Sequence, residues 1–346
     1  MIEINGFHTE DTYFAARNGH GGFASHFDRV FAPRDYRKIF ILKGGPGTGK
    51  STLMRGLVSF ANQKGMPCEA ILCSSDVSSL DGVIIKRGEG RVAVIDGTAP
   101  HATDPKYPGA IEEIVDLGEG FNISRLEAVR GDIISHASEK SAAYSAAYSS
   151  LRLAGDEFDE IWRQLHESEI YIEADEIANN LAEGEENTDK RRASGEILYS
   201  AFGKNGYYRL PITGGMHCIK IGGHPLLCGL LGSLLLRALR ARGAVIRIAR
   251  SALDDRLIDR LYTPERVYAF GEDGECDIDL SDLSLPDRAA CDYERYTGLL
   301  RDAAEHFADA SRSHFALEGI YRECVDFSHN DRVFERLCDR ITGYLT

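Results

Sequence analysis

Gly44-Gly45-Pro46-Gly47-Thr48-Gly49-Lys50-Ser51, followed by Thr52, sets glycines, one lysine and two adjacent hydroxyls at the spacing of a phosphate-binding loop. Glycines let the backbone curl so that successive N–H groups converge, a concavity suited to a row of anionic oxygens. Lys50 would then reach the β- and γ-phosphates of a nucleoside triphosphate, and the Ser51 hydroxyl would ligate Mg²⁺. The flanks supply the context such a loop needs. Ile39-Phe40-Ile41-Leu42 reads as a short buried strand, and Leu53, Leu57, Val58, Phe60 and Ala61 fall at helical spacing within 52–64. A helix beginning at Gly49 would direct its positive dipole end at the same point. These residues predict a site for ATP with Mg²⁺.

A triphosphate site also needs a carboxylate at the end of a neighbouring strand to hold the metal through water. Val92-Ala93-Val94-Ile95-Asp96 has that form, and Gly97 after it allows close backbone approach. The expected Mg²⁺ ligands are therefore Ser51 and Asp96. The residues after Asp96 are Gly97-Thr98-Ala99-Pro100-His101, with no adjacent glutamate to polarise a water, so hydrolysis is expected to be slow. Asp76 follows the expected strand 69–72, and Asp81 comes shortly after. Either would accept a proton from an acceptor hydroxyl if the reaction were phosphotransfer. The alternative for Asp76 is a turn cap. His101 is read either as a structural residue or as a sensor of the γ-phosphate. Lys50, Asp96, Asp76 and Asp81 are the catalytic candidates.

The elements that must position these groups belong to a chain of 346 residues, long enough for two domains. Net charge is -14, which repels a polyphosphate backbone and argues against a nucleic-acid partner. The short basic cluster Lys190-Arg191-Arg192 reads as linker. Eight cysteines without a C-x-x-C pair read as reduced thiols. Met1-Ile2-Glu3-Ile4-Asn5 lacks the start of a secretory leader, and the greasy run 226–236 is too short to span a bilayer. A soluble cytoplasmic protein is expected.

The chain also repeats itself. Gly44 and Gly45 match Gly222 and Gly223, Gly65 matches Gly243, Asp76 matches Asp254 and Asp81 matches Asp259, at one shift of 178 (243 − 65). At that shift Leu227, Cys228 and Gly229 stand where Gly49, Lys50 and Ser51 stand, and the strand 267–270 ends without a carboxylate. The second copy is expected to have lost its phosphate chemistry and to serve a structural or regulatory role. A helix is expected over 124–154, ended by Gly155 with Asp156 capping the next, the two forming a hairpin, and a similar helical pattern is expected over 293–345. The acidic stretch around 183–187 reads as the linker, giving a nucleotide-binding domain over 1–185 and a degenerate copy over 186–346.

The motifs 41–54, 73–76, 79–85 and 95–101 together resemble the P-loop nucleoside triphosphatase superfamily. More narrowly, they resemble a family of bacterial ATP-binding proteins with tandem P-loop halves. The resemblance covers nearly the whole chain. It implies an α/β fold of tandem three-layer domains with mostly parallel sheets, carrying helical hairpin extensions, and it implies ATP binding. The second half departs from that family at Leu227, Cys228 and Gly229. The leading functional expectation is a Mg²⁺-dependent slow ATPase or ATP-driven switch acting on a small-molecule or protein partner. The alternatives are a small-molecule kinase using Asp76 or Asp81, and a non-catalytic nucleotide sensor.

Overall fold

The structure, a computed structural model, describes residues 2–4, 7–9, 11–185, 195–212, 215–272 and 274–346. Part of the expected linker and the basic cluster 190–192 lie outside the described residues. The fold is α/β, with two six-stranded mixed, mostly parallel sheets. The chain divides into two compact units. Unit 1 comprises 1–16, 25–146 and 305–346, and unit 2 comprises 17–24 and 147–304. The position 185/186 falls inside the sequence span of unit 2, and the C-terminal residues return to unit 1.

The sheet of unit 1 is built from β1 (Asp11–Phe14), β2 (Lys38–Lys43), β3 (Cys68–Leu72), β4 (Leu80–Arg87), β5 (Gly90–Asp96) and β6 (Glu112–Asp116). Their order is β6-β2-β5-β4-β3-β1. Only β4 runs antiparallel to both neighbours. The apolar runs of β2 and β5 are buried along their length because they lie side by side in the middle of the sheet. Helix α1 (Lys50–Gln63) packs on β4 and buries Leu53, Met54, Leu57, Val58 and Ala61, which is the face read from the sequence with Met54 in place of the half-buried Phe60.

Unit 2 has β7 (Gly195–Ile197), β8 (His217–Gly222), β9 (Arg247–Arg250), β10 (Ile258–Tyr262), β11 (Arg266–Phe270) and β12 (Ile278–Asp279). Their order is β12-β8-β11-β10-β9-β7, and here only β10 runs antiparallel to both neighbours. Order and directions therefore match those of unit 1 strand for strand. A register irregularity recurs at matching places. In unit 1 it falls between Ile71 and Leu72, in unit 2 between Ala249 and Arg250. In each case the residue skipped on the facing strand is an aspartate, Asp81 or Asp259.

Helix α2 (Arg130–His166) runs through Gly155 and Asp156 without a break, contrary to the expected stop there. A Cβ on Gly155 would fall 2.8 Å from His20 Cβ, so this glycine serves a close approach to the His20 side chain. Helix α3 (Glu169–Leu181) follows and lays the small residues Ala174 and Ala178 against α4 (Pro225–Ala241). The C-terminal helical pattern is two helices, α5 (Asp287–Arg322) and α6 (Phe327–Leu345), with the Asp326 carboxylate capping α6. All eight cysteines are free. Among the described residues no helix is long and apolar enough to cross a membrane.

Candidate functional site

In unit 1 the residues 44–49 form a loop between the end of β2 and the first turn of α1. Gly44, Gly47 and Gly49 all have positive φ, a conformation that side chains strain against, and this is why the motif needs glycine at those points. Thr48 is buried, and its hydroxyl donates to Gly45 O at 2.8 Å, closing the loop on itself. The Lys50 ammonium lies over the loop, donating to Gly44 O at 3.1 Å and Gly45 O at 3.0 Å. The Ser51 hydroxyl oxygen accepts the Leu80 N–H at 3.2 Å. Thr52 faces outward from the first turn of α1.

The pairing of β2 with β5 sets Asp96 opposite Leu42, beside the start of the loop. One carboxylate oxygen, Oδ1, accepts both the Thr98 N–H at 2.8 Å and the Thr98 hydroxyl at 2.6 Å. The other, Oδ2, points to Lys50 Nζ at 3.8 Å. Lys43 braces the segment after β5 by donating to Gly97 O at 2.7 Å and Thr103 O at 2.9 Å. A hydroxyl and a carboxylate flanking the lysine are oxygen donors of the kind Mg²⁺ takes, with the remaining positions left to water and phosphate. The donor chemistry of Ser51 and Asp96 fits that ion.

Asp76 and Asp81 are held differently. Asp76 Oδ1 accepts from the Ser78 N–H at 3.0 Å and the Ser78 hydroxyl at 2.6 Å, a turn cap. Asp81 is buried, and its Oδ2 lies 3.0 Å from His101 Nε2. The His101 ring stacks on Phe27 with centroids 4.3 Å apart. The sequence named Asp81 and His101 separately, and the fold makes them a pair. Burial pushes up the Cys73 thiol beside them, and the Asp81 charge adds to it. Burial likewise raises the Tyr144 hydroxyl.

Several residues at the loop come from far along the chain and were not read as functional. A Cβ on Gly45 would meet the Tyr321 ring at 3.1 Å, and one on Gly47 would fall 2.5 Å from the carbonyl oxygen of Glu318. Asn330 Nδ2 donates to Thr48 O at 2.7 Å, and Phe327 packs near Gly49. Burial lowers the Lys140 ammonium, and the nearby Lys50 charge lowers it further. The sequence carried no signal for these contacts, because each residue sits in a helix whose pattern reports only its own apolar face.

In unit 2 the corresponding place is built otherwise. Only Gly223 and His224 separate β8 from α4, so the helix starts where unit 1 still has loop. His224 Nδ1 accepts the Leu226 N–H at 3.3 Å, and Pro225 takes the first helical position, where no N–H is needed. Leu227, Cys228 and Gly229 are buried in the helix. At the end of β11, Arg209 donates to Phe270 O at 2.8 Å and Gly271 O at 2.6 Å. Asp259 is buried, accepting from the Ser200 hydroxyl at 2.6 Å and the Tyr207 hydroxyl at 2.7 Å. A guanidinium and a packed helix start thus fill the place that holds loop and carboxylate in unit 1. Comparison with family models, with curated proteins and with solved structures returned no match.

Proposed function

We propose that unit 1 binds ATP together with Mg²⁺, and that the protein works as a slow ATPase or an ATP-driven switch. The observation that carries this reading is the glycine loop between β2 and α1, with Lys50 over it and Asp96 beside Lys50. Backbone N–H groups of the loop and the Lys50 ammonium would take the β- and γ-phosphate oxygens. Ser51 and Asp96 would hold Mg²⁺, which supplies charge neutralisation at the phosphates when bound. Thr98 fixes the Asp96 carboxylate in orientation, as a group beside a ligand should.

We read unit 2 as a diverged copy of unit 1. Support comes from the matching strand order and directions and from the recurring irregularity at Asp81 and Asp259. In that reading the copy has given up nucleotide binding, since its helix start is closed and Arg209 occupies the strand end. The switch is favoured over phosphotransfer because both candidate bases are engaged, Asp76 in its turn and Asp81 with His101.

The test is titration of the protein with ATP in the presence and absence of Mg²⁺, together with phosphate release. Magnesium-dependent binding with turnover well below one per second supports the reading. Absence of binding would end it, and a rate raised strongly by an added hydroxyl acceptor would favour the kinase.

A further inference from the structure

The nucleotide reading leaves one carboxylate at the loop without a role. Near its C-terminal end α5 passes directly over Gly47. The Glu318 carbonyl oxygen lies 2.5 Å, and the Glu318 Cα 3.0 Å, from where a Cβ on Gly47 would stand, so only glycine admits the helix this closely. His314 Nε2 lies 3.5 Å from the Glu318 Oε1 and does most to hold that carboxyl below its usual value, with the Gly47 N–H and the Lys50 charge adding to it. The Glu318 charge also offsets part of the lowering of the Lys140 ammonium. An anion of the chain itself thus acts on both kinds of group the loop offers a phosphate, an N–H and the Lys50 charge.

We propose that Glu318 is a built-in stand-in for a phosphate group, which an incoming triphosphate must displace from the loop. This rests on the nucleotide reading of the same site and adds its regulation. A carboxylate and a phosphoryl oxygen cannot share one N–H, and two anions beside Lys50 repel each other. Binding therefore expels the Glu318 side chain. Because the same helix covers Gly47 and Gly45 with Glu318 and Tyr321, and α6 is tied to Thr48 through Asn330, the expelled contact loosens the α5–α6 corner. That corner is the element that responds to nucleotide.

A competing use of Glu318, polarising the attacking water, predicts lost phosphate release in the Glu318 variants without the raised hydrogen exchange of the free chain. The experiment is calorimetric titration of MgATP into the wild type, Glu318→Ala, Glu318→Gln and Lys50→Ala, all as full-length chains. Removing the competitor should tighten binding about tenfold in Glu318→Ala. Glu318→Gln should tighten it less, since it keeps an acceptor oxygen and loses only the charge. Should Glu318→Ala fail to fold, Glu318→Gln, nearly identical in shape, carries the comparison. Hydrogen exchange over 314–325 should rise on adding MgATP to the wild type and be raised already in the Glu318 variants. If the wild type binds MgATP and both Glu318 variants bind equally or more weakly, the stand-in role is wrong while the nucleotide reading survives. If neither wild type nor variants bind, both fall together.

Discussion

Replacing Gly47 by alanine meets two separate costs. The residue has φ +70, where an L side chain is strained by about 1–2 kcal/mol. The new methyl also lands 2.5 Å from the Glu318 carbonyl oxygen, an approach real Cβ atoms do not make. The neighbour is helix backbone and cannot swing aside, so the overlap adds about 1–3 kcal/mol. The expected total is about 2–5 kcal/mol. Gly65 is the internal control. Its φ is +64, but nothing lies within 4 Å of its Cβ position, so Gly65→Ala meets the first cost alone. Urea unfolding followed through protection of the α1 amides reads unit 1 itself. Gly47→Ala should shift that transition two to three times as far as Gly65→Ala. Equal shifts would refute the close packing of α5 on the loop.

Two further outcomes follow from particular contacts. Cys228 is buried in α4 along with Leu226, Leu230 and Leu231, so Cys228→Lys, which sets a lysine at the position matching Lys50, should destabilise unit 2 by about 3 kcal/mol or more. It should give no second ATP site, and a second bound nucleotide with unchanged melting would contradict the account. Hydrogen bonds from Arg340 hold the Glu113 carboxyl down to about 2 despite partial burial, with Lys38 adding to them. A depressed carboxyl stabilises the fold above its unfolded value near 4.5, and that stability is lost as pH falls toward about 2. Glu113→Gln should therefore be less stable than the wild type at neutral pH, with the difference shrinking across that window. A difference independent of pH, in urea midpoints measured from pH 7 to 2, would remove the ion pair from the explanation.

The loop, its strand, its helix and the Asp96 strand were all legible because each is a local pattern, apolar run then glycines then helical spacing. The likeness of the two sheets was legible too, since Asp81 and Asp259, at their matching irregularities, stand at the same shift as the paired glycines. The continuity of α2 was not legible. Glycine stops an exposed helix, yet Gly155 is kept for its packing on His20, which only the tertiary structure supplies. The pairing of Asp81 with His101 was hidden for the same reason, because strand alignment rather than sequence distance brings them together. The closing of the second copy was half legible. Leu227 and Cys228 showed that no lysine stands at the helix start of unit 2, but not that α4 begins at Pro225 or that Arg209 caps β11. Least legible were Glu318, Tyr321 and Asn330, which reach the loop from the far end of the chain.

The most direct measurement of the central claim is equilibrium binding of ATP to the wild type and to Lys50→Ala, each with Mg²⁺ and with a chelator. One nucleotide per chain, held in the wild type only with Mg²⁺ and lost in Lys50→Ala, is the predicted result. Undiminished binding by Lys50→Ala, or no affinity in any condition, would contradict it.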